Sequence, residues 1–165
     1  MEPSLLSYKL RVKEYYEKMG RSYLELYLSE SVRNYLRLAE DLRMRNARVL
    51  DVGCGLGIGA SMLSGITKQY ICLDIACTPL QYPSKLLGVD VVCADGALMP
   101  IRGEALDYVL IINVINAEGD GEAILKEALG ISNKVFAVSP RSIDNELIRS
   151  IINNRQRIQC DDQLT

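Results

Sequence analysis

Residues 49–60 read VLDVGCGLGIGA, an apolar run followed by a glycine-rich turn and then by small and apolar residues. This pattern predicts a buried β-strand, a tight turn and the start of a helix. Glycines permit positive φ and let a ligand approach the backbone, and the first turn of a helix offers free N–H groups. In a doubly wound sheet, ligands bind at the carboxyl ends of the strands. This turn is therefore the first candidate for a ligand site.

Downstream of the turn, short apolar runs alternate with helical segments. Strands are predicted over residues 48–52, 69–73, 89–93, 106–112 and 134–138, and helices over residues 57–63, 84–87, 121–129 and 143–156. This alternation predicts right-handed βαβ units and a mainly parallel sheet with helices on both faces. The predicted fold class is α/β, doubly wound.

The N-terminal segment predicts helices rather than strands. A break is expected at Gly20, and apolar residues recur every three or four positions over residues 30–44, which predicts a second helix there. We interpret the chain as one domain. Its parts are a helical extension or lid (1–45), a core sheet (46–140) and a C-terminal helix and tail (141–165).

The amino-acid composition of the chain limits the classes of function that it can have. The net charge of −2 and the pI of about 5.3 make nucleic acid an unlikely partner. No apolar run reaches the roughly 20 residues that span a membrane, and no signal peptide is evident, so a cytoplasmic protein is expected. The five cysteines form no C-x-x-C pair and are expected to be reduced and to fill the core. The absence of histidine argues against a metal site and excludes Ser-His and Cys-His dyads.

Two cofactors compete for the glycine turn. Gly55 to Ala60 matches the dinucleotide pattern G-x-G-x-x-A, and Asp74 follows Gly55 by nineteen residues, near the spacing of a ribose-binding acid. The alternative pattern is D-x-G-x-G-x-G, which begins at Asp51. A carboxylate beside the turn would repel a pyrophosphate and favour a ligand with an ammonium group. This argument favours S-adenosylmethionine over a nicotinamide dinucleotide.

The segment VLDVGCGLGIGA resembles the first motif of the Rossmann-like, class I S-adenosylmethionine-dependent methyltransferases, and further similarity extends over roughly residues 14–140. The resemblance implies that acids at the ends of the second and third strands bind the cofactor's ribose and adenine. It also implies that a residue after the fourth strand faces cofactor and substrate, and that the N-terminal helices form a lid over a small-molecule substrate. The cofactor-binding residues so predicted are Asp51, Gly53, Cys54, Gly55, Gly57, Asp74, Ile75, Asp95, Gly96, Asn113 and Tyr23.

The sequence departs from this family after the fifth strand, where the 25 remaining residues are too few for the usual antiparallel edge hairpin. We therefore expect five strands in the order 3-2-1-4-5, with the last helix or a second subunit covering the edge of the fifth. The predicted activity is methyl transfer to an unidentified small molecule, with Glu118, Tyr16 and Tyr23 as candidate bases. The alternatives are a non-catalytic cofactor-binding subunit that stabilises a partner and a nicotinamide-dependent oxidoreductase.

Overall fold

The computed structural model describes residues 4–19, 22–40, 44–153 and 158–159. Five helices and six strands alternate over most of this length, and a π-helical turn, Pro83–Leu87, precedes β3. The helices are α1 (Leu5–Met19), α2 (Ser22–Glu40), α3 (Ile58–Leu63), α4 (Gly121–Ile131) and α5 (Ser142–Asn153). The strands are β1 (Arg48–Val52), β2 (Gln69–Asp74), β3 (Asp90–Cys93), β4 (Tyr108–Ile112), β5 (Val135–Val138) and β6 (Ile158–Gln159).

The strands of the described residues form one sheet in the order β3-β2-β1-β4-β5-β6. Each neighbouring pair is parallel. The predicted α/β class and the order 3-2-1-4-5 of the first five strands are thus confirmed. The order reverses between β1 and β4, and this places the turn after β1 at the switch point where ligands of such sheets bind.

The edge of β5 differs from the prediction. The two residues of β6 pair in parallel with Val135 and Phe136, so a short strand covers the beginning of β5. Helix α5, which we expected to cover this edge, packs on a face of the sheet instead: Ile148 and Ile152 are buried in one cluster with residues of α4. A second subunit at this edge stays a prediction.

Strand alternation divides the core into two layers. In β1, Leu50 and Val52 belong to the buried cluster beneath α4 and α5, whereas Val49 belongs to the cluster that includes α2 and α3. β4 alternates in the same way, and all five of its residues are buried, as expected for a central parallel strand. The central strands β1 and β4 are therefore covered on both faces, which leaves their ends as the place where a ligand can approach them.

The helical extension contains the two predicted helices, but the second begins earlier than expected. α2 starts at Ser22, eight residues before the predicted start at residue 30. Leu26 and Leu28 are exposed, so the first turns of α2 do not continue the apolar stripe on which the prediction depended. Within the described residues, no helix is both long enough and apolar enough to cross a membrane.

The prediction that all cysteines are reduced and core-filling is wrong for two of them. Cys54 and Cys72 are free and buried, as expected. Cys77 and Cys93 are exposed and form a disulfide with a Cα–Cα distance of 5.2 Å. The apolar pattern of β3 predicted a buried strand, but β3 lies at the edge of the sheet and its last residue is exposed.

We expect reduction of this disulfide to destabilise the domain. The bond closes a loop with a sequence separation of 16 residues, for which chain entropy predicts a loss of about 3 kcal/mol in the free energy of unfolding. Urea denaturation with and without reductant measures the loss. The double variant Cys77→Ser/Cys93→Ser is the control. Its urea midpoint should equal that of the reduced wild type and should not change when reductant is added. Equal midpoints for oxidised and reduced wild type would contradict the prediction.

Candidate cofactor site

A cavity of about 670 Å³ lies at the carboxyl ends of the strands. Its floor is formed by the ends of β1 and β2 and the segments that follow β3, β4 and β5, and its roof is formed by α1 with part of α2. Of the predicted cofactor-binding residues, those that line the cavity are Gly53, Gly55, Asp74, Ile75, Asp95, Gly96 and Asn113. The structure therefore brings together residues from four separate loops.

The glycine turn forms one wall of the cavity with its backbone. Gly53 and Gly55 have φ angles of +74° and +53°, which side chains rarely adopt. A Cβ on Gly53 would lie 2.2 Å from Cγ2 of Val114, so the space beside this turn admits no side chain. The backbone N–H of Gly53 donates to the carbonyl of Leu73 at 2.7 Å, which joins the turn to the end of β2.

Asp74 holds the turn and faces the cavity. Its carboxylate accepts hydrogen bonds from the N–H groups of Gly55 and Ala76, both at 2.9 Å. Burial raises the pKa of Asp74, and the hydrogen bonds from these two N–H groups only partly oppose that effect. Each oxygen retains capacity to accept a further hydrogen bond, because a carboxylate oxygen can accept two. The side chain can thus receive two hydroxyl donors.

Asp95, Gly96 and Asn113 complete the floor of the cavity. Asp95 accepts a hydrogen bond from the N–H of Ala97 at 2.9 Å. Asn113 adopts a φ of +61° and accepts a weak hydrogen bond from Nδ2 of Asn34 at 3.4 Å. Its own amide nitrogen is buried and has no hydrogen-bond partner within the described chain. A positive φ and an unmet donor are costly, and such features concentrate at ligand sites.

Asp51 does not line the cavity, which corrects the argument that its carboxylate faces the ligand. It is fully buried, and it accepts hydrogen bonds from Tyr35 Oη (2.9 Å) and Tyr70 Oη (2.7 Å). Because side chains alternate along a strand, Asp51 points to the same face as Val49, beneath α2 and α3. Desolvation raises its pKa to about 7, against the effect of both tyrosine hydroxyls.

Three further predicted residues do not provide a described cavity contact. The N–H of Cys54 donates to Leu73 at 3.2 Å and its thiol is buried in the core. Gly57 precedes α3 with a φ of +80° and packs against Pro83. Tyr23 belongs to α2, but its side chain lies outside the described part of the structure. Cofactor contacts by these residues stay predictions.

Helix α1 supplies the cavity residues that the sequence did not predict. Tyr8, Lys9, Arg11, Val12 and Tyr15 line the roof. No motif marks them, because their partners lie far away in the chain: Lys9 binds Asp95 across 86 positions. Tyr16, considered earlier as a base, also lines the cavity, but burial raises its pKa to about 12. A neutral phenol of this kind is a poor proton acceptor at neutral pH.

The cavity lining also contains an ion pair, Arg141–Asp144, that sequence analysis missed. Asp144, almost fully buried, accepts hydrogen bonds from Nε and Nη2 of Arg141, both at 2.9 Å, and from Ser139 Oγ at 2.7 Å. Although burial opposes it, the Arg141 guanidinium keeps the pKa of Asp144 below its ordinary value. Glu118, the other candidate base, is exposed and binds Arg141 Nη1 at 3.2 Å, outside the cavity lining.

Comparison with known proteins identifies the fold and the family. The model of a methyltransferase domain matches residues 50–133, about half of the chain, including the glycine turn, Asp74 and Asp95. The chain belongs to this methyltransferase family. Since the family comprises S-adenosylmethionine-dependent enzymes, membership removes the nicotinamide oxidoreductase from the alternatives.

Similar proteins agree with this assignment. An uncharacterised protein of Methanocaldococcus jannaschii is 29% identical over 104 residues, which cover 60% of this chain but 38% of that protein. The chain thus corresponds to well under half the length of this relative.

Solved structures share the fold. Magnesium protoporphyrin IX methyltransferase from Synechocystis PCC 6803 was solved with bound S-adenosylmethionine. It superposes on the present chain with a TM-score of 0.70 at 16% identity, and the aligned part covers 89% of the present chain and 85% of the Synechocystis chain. A candidate RNA methyltransferase from Pyrococcus horikoshii has a TM-score of 0.63 at 19% identity, with coverages of 76% and 65%.

Proposed function

We propose that this methyltransferase binds S-adenosylmethionine in the cavity at the strand ends and transfers its methyl group to a small molecule. The single observation that carries the proposal is the convergence of the glycine turn, Asp74 and Asp95 on one cavity. The residues come from the ends of three neighbouring strands, β1, β2 and β3, and only the fold brings them together.

The lining residues fit the cofactor chemically. Asp74 has the free acceptor capacity to hold two ribose hydroxyls, and Ile75 beside it offers an apolar surface to the adenosine. Asp95 can accept a hydrogen bond from the adenine amino group. Gly53 and Gly55 line the cavity and carry no side chain of their own, so their backbone can lie directly against the methionine moiety.

The methyl group of a bound sulfonium is already activated, so the protein does not have to generate an electrophile. The protein must instead align the acceptor with the methyl group and exclude water. Helix α1 forms the roof of the cavity, and the Arg141–Asp144 pair adds polar groups to its lining. None of the described residues that line the cavity is a histidine, since the chain contains none.

The lining of the cavity supports a small-molecule acceptor. Tyr8, Tyr15, Tyr16 and Tyr27, all from α1 and α2, line it together with Val12. Aromatic and apolar lining with a few polar groups is typical of small-molecule sites. A nucleic-acid acceptor would require an open, basic surface, whereas the chain carries a net charge of −2.

Calorimetric titration with S-adenosylmethionine and S-adenosylhomocysteine tests the cofactor site. Asp74→Ala is expected to weaken binding of both at least about tenfold, because it removes an acceptor for two hydroxyl groups. Asp90→Ala is the matched control: it removes an exposed carboxylate at the start of β3, away from the cavity, and should bind as tightly as wild type. Thermal melts of each variant separate lost binding from lost folding.

Two outcomes would contradict the proposal. Wild-type protein that is folded but binds neither ligand would remove S-adenosylmethionine from the function. Equal affinities for wild type and folded Asp74→Ala would place the cofactor elsewhere. If binding is confirmed but the purified chain transfers no methyl group to any acceptor, the non-catalytic subunit becomes the better interpretation.

A further inference from the structure

Lys9 occupies a central position in the cavity. Its ammonium lies 2.5 Å from Oδ2 of Asp95 and 3.4 Å from Oδ2 of Asp120, and its side chain is only 17% exposed. The other oxygen of Asp95 accepts the N–H of Ala97. Each carboxylate oxygen of Asp95 thus already accepts one hydrogen bond from the protein, and the bond to Oδ2 comes from a charged donor. Burial opposes the charge on Lys9, but the two carboxylates outweigh it and raise the pKa of Lys9, which stays cationic at neutral pH.

Other contacts seat α1 over the cavity at both of its ends. Near the helix C-terminus, the Glu17 carboxylate accepts the N–H groups of Cys77 and Thr78 at 2.7 and 3.1 Å, in the loop after β2. Near its N-terminus, Tyr8 Oη accepts a hydrogen bond from Nδ2 of Asn116 at 3.0 Å, in the segment after β4. Lys9 thus belongs to a helix that is fastened to the rim on two sides.

No residue of α1 is fully buried, so polar contacts carry much of its attachment. The Lys9–Asp95 pair differs from the two rim contacts because it lies inside the cavity. A hydrogen-bond donor that reaches Asp95 from within the cavity therefore competes with the Lys9 ammonium for the Asp95 carboxylate.

We propose that Lys9 is an autoinhibitory latch that competes with the cofactor's adenine amino group for Asp95 and holds α1 closed over the cavity. This inference rests on the proposed function, in which Asp95 receives the adenine. Cofactor entry then requires that the Lys9–Asp95 contact break and α1 lift. Asp120, on the other side of the ammonium, retains Lys9 after the exchange, so α1 can close again over the bound cofactor.

The test compares Lys9→Met with Lys18→Met. Methionine preserves the aliphatic length of lysine and removes the charge. Lys18 lies on the same helix but is 81% exposed and pairs with the exposed Glu14, so its variant controls for the loss of one positive charge. We expect Lys9→Met to bind S-adenosylmethionine about fivefold more tightly than wild type, since the ligand no longer displaces an ion pair. Lys18→Met should match wild type.

Hydrogen exchange of α1 provides a readout that does not involve the cofactor. Without ligand, the backbone amides of α1 should exchange several-fold faster in Lys9→Met than in wild type, because the latch is absent. Lys9→Arg keeps the charge and should restore protection towards the wild-type level.

The outcomes separate the latch from the cofactor site. Equal or weaker S-adenosylmethionine binding by Lys9→Met, with wild type binding normally, would overturn the latch and leave the proposed function intact. Unchanged exchange of α1 in Lys9→Met would also overturn it. Failure of wild type and Lys9→Met alike to bind the cofactor would overturn both proposals together.

Discussion

Replacing Gly53 by alanine is expected to abolish measurable S-adenosylmethionine binding and to lower the free energy of unfolding by about 3 kcal/mol. Two costs combine. The φ of +74° is unfavourable for any residue with a Cβ, and the new methyl group would lie 2.2 Å from Cγ2 of Val114. Val114 is branched at Cβ and packs against the core, so it can yield only if the cavity wall moves. Calorimetric titration and urea denaturation measure the two effects.

Two other glycines in the chain provide graded controls. Gly88 has a φ of +65° but nothing near its Cβ position, so Gly88→Ala should show the backbone cost alone, about 1–2 kcal/mol. Gly65 has neither a positive φ nor a close neighbour, so Gly65→Ala should leave stability unchanged within about 0.5 kcal/mol. Both controls should bind the cofactor normally. If Gly53→Ala loses no more stability than Gly88→Ala and still binds S-adenosylmethionine, the short distance between position 53 and Val114 does not require a glycine.

The second large effect is expected at Asp51. Its pKa is raised to about 7 by complete burial, while the same carboxyl group in the unfolded chain titrates near its model value of 3.8. Between these values the native state holds a proton that the unfolded state has lost. The free energy of unfolding therefore falls as pH rises from about 4 to 7, by an amount on the order of 4 kcal/mol, and is constant above pH 7 with respect to this group.

Asn at position 51 cannot ionise and keeps an oxygen that can accept from Tyr35 or Tyr70. We expect Asp51→Asn to be more stable than wild type at pH 8 by several kcal/mol and to show a flatter dependence on pH between 4 and 7. Part of the slope should remain, because burial also raises the pKa of Asp74. Urea denaturation at several pH values measures both quantities.

Asp90→Asn, a substitution of an exposed acid, is the matched control and should keep the full wild-type slope. A slope in Asp51→Asn equal to that of wild type would show that Asp51 is not the group responsible. Because Asp51 does not line the cavity, its asparagine variant should also bind S-adenosylmethionine within a few-fold of wild type. A large loss of affinity would instead restore the direct cofactor contact that the sequence motif suggested.

The core sheet was predictable because its elements depend on local patterns. The predicted starts and ends of β1 to β5 agree with the structure to within two residues, since buried parallel strands are short apolar runs bounded by turns. The predicted burial of β3, at the edge of the sheet, was wrong for a physical reason. β3 is mostly apolar in sequence, but three of its four residues are exposed, and the disulfide at its end depends on a contact that no local pattern encodes.

In the candidate site, the sequence predicted the residues that lie at or just after the strand ends. The prediction for Asp51 left out the alternation of side chains along a strand. Asp74, Asp95 and Asn113 line the cavity because parallel strands all end at the same edge. Asp51 lies one residue before the end of β1, where alternation directs it into the core. That alternation is a property of the sequence, so strand geometry alone could have placed Asp51 on the same face as Val49 rather than in the cavity.

The sequence by itself predicted the α/β sheet and the edge at which the candidate cofactor site lies, because glycine conformation and apolar periodicity act over a few residues. The order of the first five strands followed from the family resemblance. Only the tertiary structure decided which groups enclose that cavity. Lys9 meets Asp95, Glu17 meets Cys77, and Tyr35 meets Asp51, in each case through the docking of a helix on a distant strand end. Such contacts depend on how whole elements pack, and packing follows from the sum of many buried surfaces rather than from any one motif.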